Sequence, residues 1–209
     1  MARAGYRLWF CKCNDFNLHG VFSRDRPLLL FSPGAGVNPA FYSTFTEDLA
    51  SHGYAVFAIV PTGRVDTIFP DGHRVPASDK RSDYDKWITG TALPLWAGDL
   101  RFMLDQIQRV DRDPSSGFFQ RLDLNKIGVF GHSFWGAASI LSGLQDQRIR
   151  AVLNLDGSPF GVLSKTASKA VDGDQGRCLP EVLDSATRRK GESDRGASAR
   201  RAFFRLFER

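Results

Sequence analysis

Cysteine, histidine and long apolar runs are all scarce in this chain, and each scarcity removes a class of protein. Three cysteines, Cys11, Cys13 and Cys178, form no even disulfide framework and have no histidine at a metal-ligand spacing. A reducing compartment, cytoplasmic by default, is the expectation. No window approaches the ~20 consecutive apolar residues that a membrane-spanning helix needs, so no transmembrane segment is expected. The stretch from Met1 to Phe10 carries too short an apolar run for a signal peptide.

A single charge sign is also missing from most of the chain. The net charge is +5, yet residues 1–163 hold 17 Lys and Arg against 16 Asp and Glu, whereas residues 164–209 hold 11 against 7. The excess belongs to the tail. A nearly neutral body gives no electrostatic footprint for a phosphate backbone, and the Arg188-Arg189-Lys190 cluster reads as a solvated segment, so no nucleic-acid partner is expected. What is present is 209 residues with 42% hydrophobic, 12% aromatic and 24% charged content, the make-up of one ordinary globular domain.

The body alternates strand-like and helix-like patterns. Arg26 to Phe31 is a continuous apolar run suited to a strand buried on both faces, and it stops at Ser32-Pro33-Gly34-Ala35-Gly36. Asn38 as N-cap, Pro39 at the first helical position, Phe41, Phe45 and Leu49 at four-residue spacing and Gly53 past the end predict a helix. Tyr54 to Val60 is a second buried strand. Residues 62–90 show neither period, and a loop of that length in a compact domain is usually functional or mobile. Trp96, Leu100, Met103, Leu104, Ile107 and Val110 form one apolar helical stripe. A strand at Ile127 to Phe130, a helix from Gly136 to Leu144 and a strand from Ile149 to Leu155 complete the pattern. The order predicts a mostly parallel sheet with helices on both faces, with ligands gathering at the carboxyl ends of its strands.

After Leu163 the texture changes. Only nine of the 46 residues in 164–209 are large apolar or Cys, and four of these crowd into the last seven. The expectation is a domain over residues 1–163 and a basic tail over 164–209 that holds no further buried strand and cannot offset its ordering entropy, with a short helix at Ala202 to Arg209.

Gly131-His132-Ser133-Phe134-Trp135-Gly136 lies where the Ile127 strand meets the next helix. A serine on such a strand-to-helix turn is lifted above the sheet edge, beside a helix N-terminus that favours developing negative charge; the plain alternative is a Gly-Ser turn that caps a helix. A nucleophile there needs backbone donors for an oxyanion. Phe134, next after the serine, is one candidate, and Ala35, in the loop after the first strong strand, is the other. A triad acid belongs at a strand end beyond the serine, and Asp156 closes the Ile149 strand 23 residues after Ser133; Asp-Gly is also a routine turn pair.

Phe-Ser-Pro-Gly-Ala-Gly, Ile-Phe-Pro-Asp-Gly, Gly-His-Ser-Phe and Asn-Leu-Asp-Gly-Ser-Pro-Phe-Gly, in this order over about residues 19–163, resemble the platelet-activating-factor acetylhydrolase group of α/β-hydrolases. The resemblance implies an α/β-hydrolase-type fold and a serine esterase without metal or other cofactor. It also implies a small ester or phospholipid with short or oxidised acyl chains as substrate. Carried over position by position, Ser133 is the nucleophile, Asp156 the acid, and the Ala35 and Phe134 amides the oxyanion hole.

Two departures bear on activity. Trp135 stands where the family has the first glycine of a Gly-Gly pair, and an indole there is expected to strain the elbow. The family's histidine follows the acid, whereas the four histidines here are His19, His52, His73 and His132. Only His73, on the loop that leaves the correct sheet edge, is a candidate base; otherwise it is an exposed loop histidine. These features predict a hydrolase interrupted after the acid, lacking its C-terminal strands and helices and impaired in proton transfer. The alternative is a non-catalytic remnant that binds a lipid-like ligand or a partner chain.

Overall fold

The computed structural model describes residues 25–69, 71–78 and 90–157 with their side chains, and the backbone of 7–10, 88–89 and 181–184. Among the described residues, strands fall at β1 Arg7–Phe10, β2 Arg26–Ser32, β3 Ala55–Val60, β4 Thr67–Ile68, β5 Arg74–Val75, β6 Leu122–His132, β7 Ile149–Leu155 and β8 Glu181–Asp184. The α-helices described are α1 Ser43–Ser51, α2 Leu93–Arg112 and α3 Phe134–Gln145. Six strands form one sheet in the order β1-β3-β2-β6-β7-β8, with β1 antiparallel to β3 and the remaining pairs parallel.

Strand alternation sorts the apolar residues to two faces. Leu29 and Phe31 of β2 pack with Leu49 of α1, Val56, Phe130 and Leu153 on one side, whereas Leu28 and Leu30 pack with α2, α3, Phe57 and Val129 on the other. The stripe of α2 is buried as its spacing predicts, from Trp96 to Ile107. Helix α2 is then tied to β6 by Asp111, whose carboxylate accepts from the Arg121 and Leu122 amides at 3.0 and 3.1 Å.

Chain order makes the sheet reverse direction at β2. From β2 the chain moves through α1 to β3 on one side; from β6 it moves through α3 to β7 on the other. The carboxyl ends of β2 and β6 therefore sit side by side at a topological switch point, where open α/β sheets hold their ligands. Ser32 is in register with Gly131, and His132 with Leu155.

The structure departs from expectation at four places. Residues 39–42 form a 3-10 turn capped by Asn38, so Phe41 turns away from the α1 stripe and is 85% exposed. The 62–90 loop contains the β4–β5 hairpin, held by Ala77 N–H to Asp66 at 2.7 Å and Ser78 N–H to the Gly63 carbonyl at 2.9 Å, and a π-helical turn at Ile88–Ala92 that leads into α2. Arg7–Phe10 adds an antiparallel edge strand. Glu181–Asp184 pairs with β7 inside the tail, where no strand was expected; a four-residue run with Val182 and Leu183 between two acids is too short to register as a buried strand. The expected helix at Ala202 to Arg209 lies outside the described residues.

Candidate active site

Ser133 sits between β6 and α3 at φ 56°, ψ −131°, in the positive-φ region that L-residues rarely adopt. Such a conformation costs about 1–3 kcal/mol and persists only where its surroundings enforce it. The enforcement is visible. The Ser133 amide donates to the Leu155 carbonyl at 2.8 Å, and the Ser133 carbonyl accepts from the Gly136 amide at 2.9 Å. A methyl group at Gly131 would lie 2.5 Å from the Trp135 carbonyl oxygen, and one at Gly136 would overlap Asn154 Oδ1. At Gly157 a methyl group would overlap both Asn154 Oδ1 and the Ser133 carbonyl. These three glycines let the first turn of α3 lie directly on the ends of β6 and β7.

Phe134 opens α3, so its amide is one of those directed out of the helix N-terminus. Ala35 is exposed in a tight turn closed by the Val37 amide to the Gly34 carbonyl at 3.0 Å, with Gly36 at φ +76°. That φ is why glycine stands there. The register of β2 with β6 brings this turn and the elbow to adjacent strand ends.

Asp156 lies one residue beyond Leu155, at φ 58° and exposed. Its turn is clipped by the buried Asn154, whose Nδ2 donates to the Gly157 carbonyl at 2.7 Å and whose Oδ1 accepts from the Gly157 amide at 3.0 Å. Ser133 and Asp156 are each the next residue after the His132–Leu155 pair, so the two candidate residues stand at neighbouring strand ends.

The histidines have other positions. His73 is exposed on the β4–β5 hairpin, where its amide donates to Asp71 at 2.9 Å and its ring lies 6.0 Å from that of Phe69. The hairpin, not the elbow, holds it. His52 caps the far end of α1, its Nδ1 2.8 Å from the Asp48 carbonyl. His132 Nδ1 lies 2.8 Å from the Tyr42 hydroxyl, which also accepts from the Gly34 amide at 3.2 Å. His19 lies outside the described residues.

Trp135 is fully buried and lies flat on Trp96, with ring centroids 4.2 Å apart and planes 7° from parallel; Phe134 meets Trp96 edge-on. The indole leaves the elbow for the α2 side of the core. The positions where close approach demands glycine are 131 and 136, so the expected crowding by Trp135 is relieved by the Trp96 stack. Its cost is local: Trp135 Nε1 has no hydrogen-bond partner among the described residues. Tyr42, Trp96 and Asn154 are the site residues that sequence reasoning missed.

No family model matches the chain. It is 29% identical over 148 residues to a probable 1-alkyl-2-acetylglycerophosphocholine esterase of Arthroderma benhamiae, covering 68% of this chain and 33% of that protein. Against the platelet-activating factor acetylhydrolase of Bos taurus it is 25% identical over 182 residues, covering 74% of this chain and 40% of that protein. A solved ferulic acid esterase from Streptomyces cinnamoneus superimposes with a TM-score of 0.55 at 28% identity, over 77% of this chain and 50% of that one. The chain thus spans between a third and a half of the length of these proteins. Sheet order, strained serine turn and structural likeness together define an α/β-hydrolase fold. Within that class its sequence is similar to platelet-activating factor acetylhydrolases. Among the described residues no helix is long and apolar enough to cross a membrane.

Proposed function

We propose that the chain carries a serine esterase site in which Ser133 is the nucleophile, Asp156 the acid, and the Phe134 and Ala35 amides the oxyanion donors. The observation that carries this reading is the positive φ of Ser133 at a strand-to-helix turn beside the Ser32–Gly36 loop. Attack of Ser133 Oγ on an ester carbonyl forms a C–O bond and moves an electron pair to the carbonyl oxygen, where the two amides stabilise it. Collapse expels the alcohol and leaves an acyl-serine, which water then cleaves. The substrate class is a carboxylic ester with a short acyl chain, on a phospholipid or a related small molecule; the names of the two curated relatives and of the esterase structure support it.

Both steps need a proton acceptor beside Ser133, for the Oγ proton in the first and the water proton in the second, and no histidine follows Asp156 in this sequence. Losing one triad member leaves ~10³–10⁴-fold catalysis over water. Turnover by this chain is therefore slow. On this reading, imidazole added in solution supplies a base to the Ser133 nucleophile and its oxyanion donors. The test is hydrolysis of p-nitrophenyl acetate with and without imidazole. In buffer alone the rate is a small fraction of an intact relative's, and Ser133→Ala changes it by no more than about 3-fold. With imidazole, the wild type gains a component that Ser133→Ala lacks. Rapid turnover in buffer that is abolished by both Ser133→Ala and His73→Ala would make His73 the base and overturn the impairment. The rival reading is a non-catalytic remnant that binds a lipid-like ligand or partner chain. It predicts no Ser133-dependent component under any condition.

A further inference from the structure

We infer that Tyr42 and His132 are positioning residues that hold the Gly34–Ala35 turn at a fixed distance from the Ser133 elbow. The inference rests on the esterase reading of Ser133 and Ala35 and adds what sets their spacing.

The Ala35 turn has few restraints of its own. Ala35 and Gly36 are exposed, and Gly36, at φ +76°, has no side chain to limit its backbone. Oxyanion donors act only when held about 2.7–3.1 Å from the developing charge, so such a turn needs an outside tether. The Tyr42 hydroxyl supplies one: it accepts from the Gly34 amide at 3.2 Å and lies 2.8 Å from His132 Nδ1. Gly34 immediately precedes Ala35, and His132 immediately precedes Ser133. One phenol oxygen therefore joins the residue before the oxyanion donor to the residue before the nucleophile.

The joint is itself braced. The Tyr42 ring meets Phe31 edge-on with centroids 4.9 Å apart, and its carbonyl accepts from Thr46 Oγ1 at 3.2 Å. His132 is held so closely that a methyl group on Gly34 would lie 2.8 Å from its Nδ1. That contact, not a turn conformation, is what requires glycine at 34. With the Gly34 N–H directed at the phenol oxygen, the phenol is assigned as donating its proton to His132 Nδ1, the ring being the Nε2–H tautomer. His132 is thus spent as an acceptor on Tyr42.

The experiment uses the full 209-residue chain and its Tyr42→Phe, His132→Leu and His132→Asn variants. Phenylalanine keeps the ring packing and removes the hydroxyl; asparagine keeps an acceptor near the Nδ1 position and leucine does not. Imidazole-assisted acetylation of Ser133 by p-nitrophenyl acetate is expected to slow by about 10-fold or more in Tyr42→Phe and His132→Leu, with the half-saturating ester concentration within about 2-fold, whereas His132→Asn stays within about 3-fold of wild type. Wild-type acetylation in Tyr42→Phe, or equal losses in His132→Asn and His132→Leu, would overturn the assignment.

A second readout needs no chemistry at Ser133. Amide exchange at Gly34 is expected to rise by about 10-fold or more in Tyr42→Phe at unchanged unfolding temperature, and the ¹⁵N spectrum of wild type should show an unprotonated His132 Nδ1. Absence of acetylation in every chain, together with faster Gly34 exchange, would sink the esterase reading and keep the tether. Unchanged Gly34 exchange would sink the tether whatever happens at Ser133.

Discussion

The Ser133 amide donates to the Leu155 carbonyl at 2.8 Å, so the strained turn after β6 is bonded to the residue that precedes Asp156 at the end of β7. Through this bond the geometry of one candidate residue depends on the strand that carries the other. Asn154 completes the arrangement by holding both backbone polar groups of Gly157.

Removing that clip has a defined cost. Asn154→Ala leaves a buried N–H and a buried C=O without their side-chain partners, and each such loss costs about 1–3 kcal/mol. Urea unfolding should show a lower midpoint at unchanged slope. An unchanged midpoint would contradict the structural role assigned to Asn154.

Two glycines on neighbouring helices should respond with opposite signs. Gly136→Ala drives a methyl group into Asn154 Oδ1 and the Gly131 carbonyl, and is expected to destabilise by at least ~1–3 kcal/mol. Gly98→Ala lies within α2, where the nearest atom to an added methyl group is Arg101 Nη2 at 3.9 Å, and should stabilise by about 0.5–1 kcal/mol through helix propensity. Equal effects in thermal unfolding would show that the elbow packing is looser than described.

Trp135 offers a test of the core. Trp135→Gly introduces the glycine that the family resemblance implies but empties a fully buried site beside Trp96, at a cost of about 3–5 kcal/mol. Stability should fall and ester turnover should not rise. A gain in turnover would mean that the indole limits the site.

Most of the sheet and its helices were legible because their signals are local. The runs Arg26–Phe31, Tyr54–Val60 and Ile149–Leu155 and the α2 stripe needed no knowledge of their neighbours. The Ser133 turn was legible for the same reason, since strand, Gly-x-Ser and helix follow one another in the chain. Strands β1, β4, β5 and β8, of two to four residues each, owe their existence to partners distant in sequence or across a hairpin, which no local period reveals. Phe41 misled because a 3-10 turn advances 120° per residue rather than 100°, which takes it off the α1 face. Tyr42 and Asn154 escaped notice for a different reason. One lies 90 residues from its partner His132, and the other acts on a turn whose positive φ values the sequence does not announce.

Acid should weaken the Asp146–Arg148 pair in the turn before β7. Burial alone would raise the Asp146 carboxyl, but hydrogen bonds and charge from Arg148, with Arg101 more distant, outweigh it and hold the group below its ordinary 3.8. The Arg148 guanidinium, which also reaches Asp105 at 2.7 Å, is raised by the same pairing. A carboxyl depressed in the folded state binds its proton more readily in the unfolded chain. Its contribution is therefore complete above the ordinary carboxylate value and is lost as pH falls through the lowered folded value. The stability gap between wild type and Arg148→Ala should narrow below about pH 4; a gap that stays constant from pH 7 to 3 would contradict this.

The central proposal is that Ser133 is the nucleophile of an esterase site, and the most direct measurement is where an acetyl group lands. After exposure of the chain to p-nitrophenyl acetate with imidazole, peptide mass spectrometry should find the acetyl group on Ser133, with several-fold less when imidazole is omitted and none at this position in Ser133→Ala. Acetylation confined to lysines and the N-terminus, equal in wild type and Ser133→Ala, would contradict the claim.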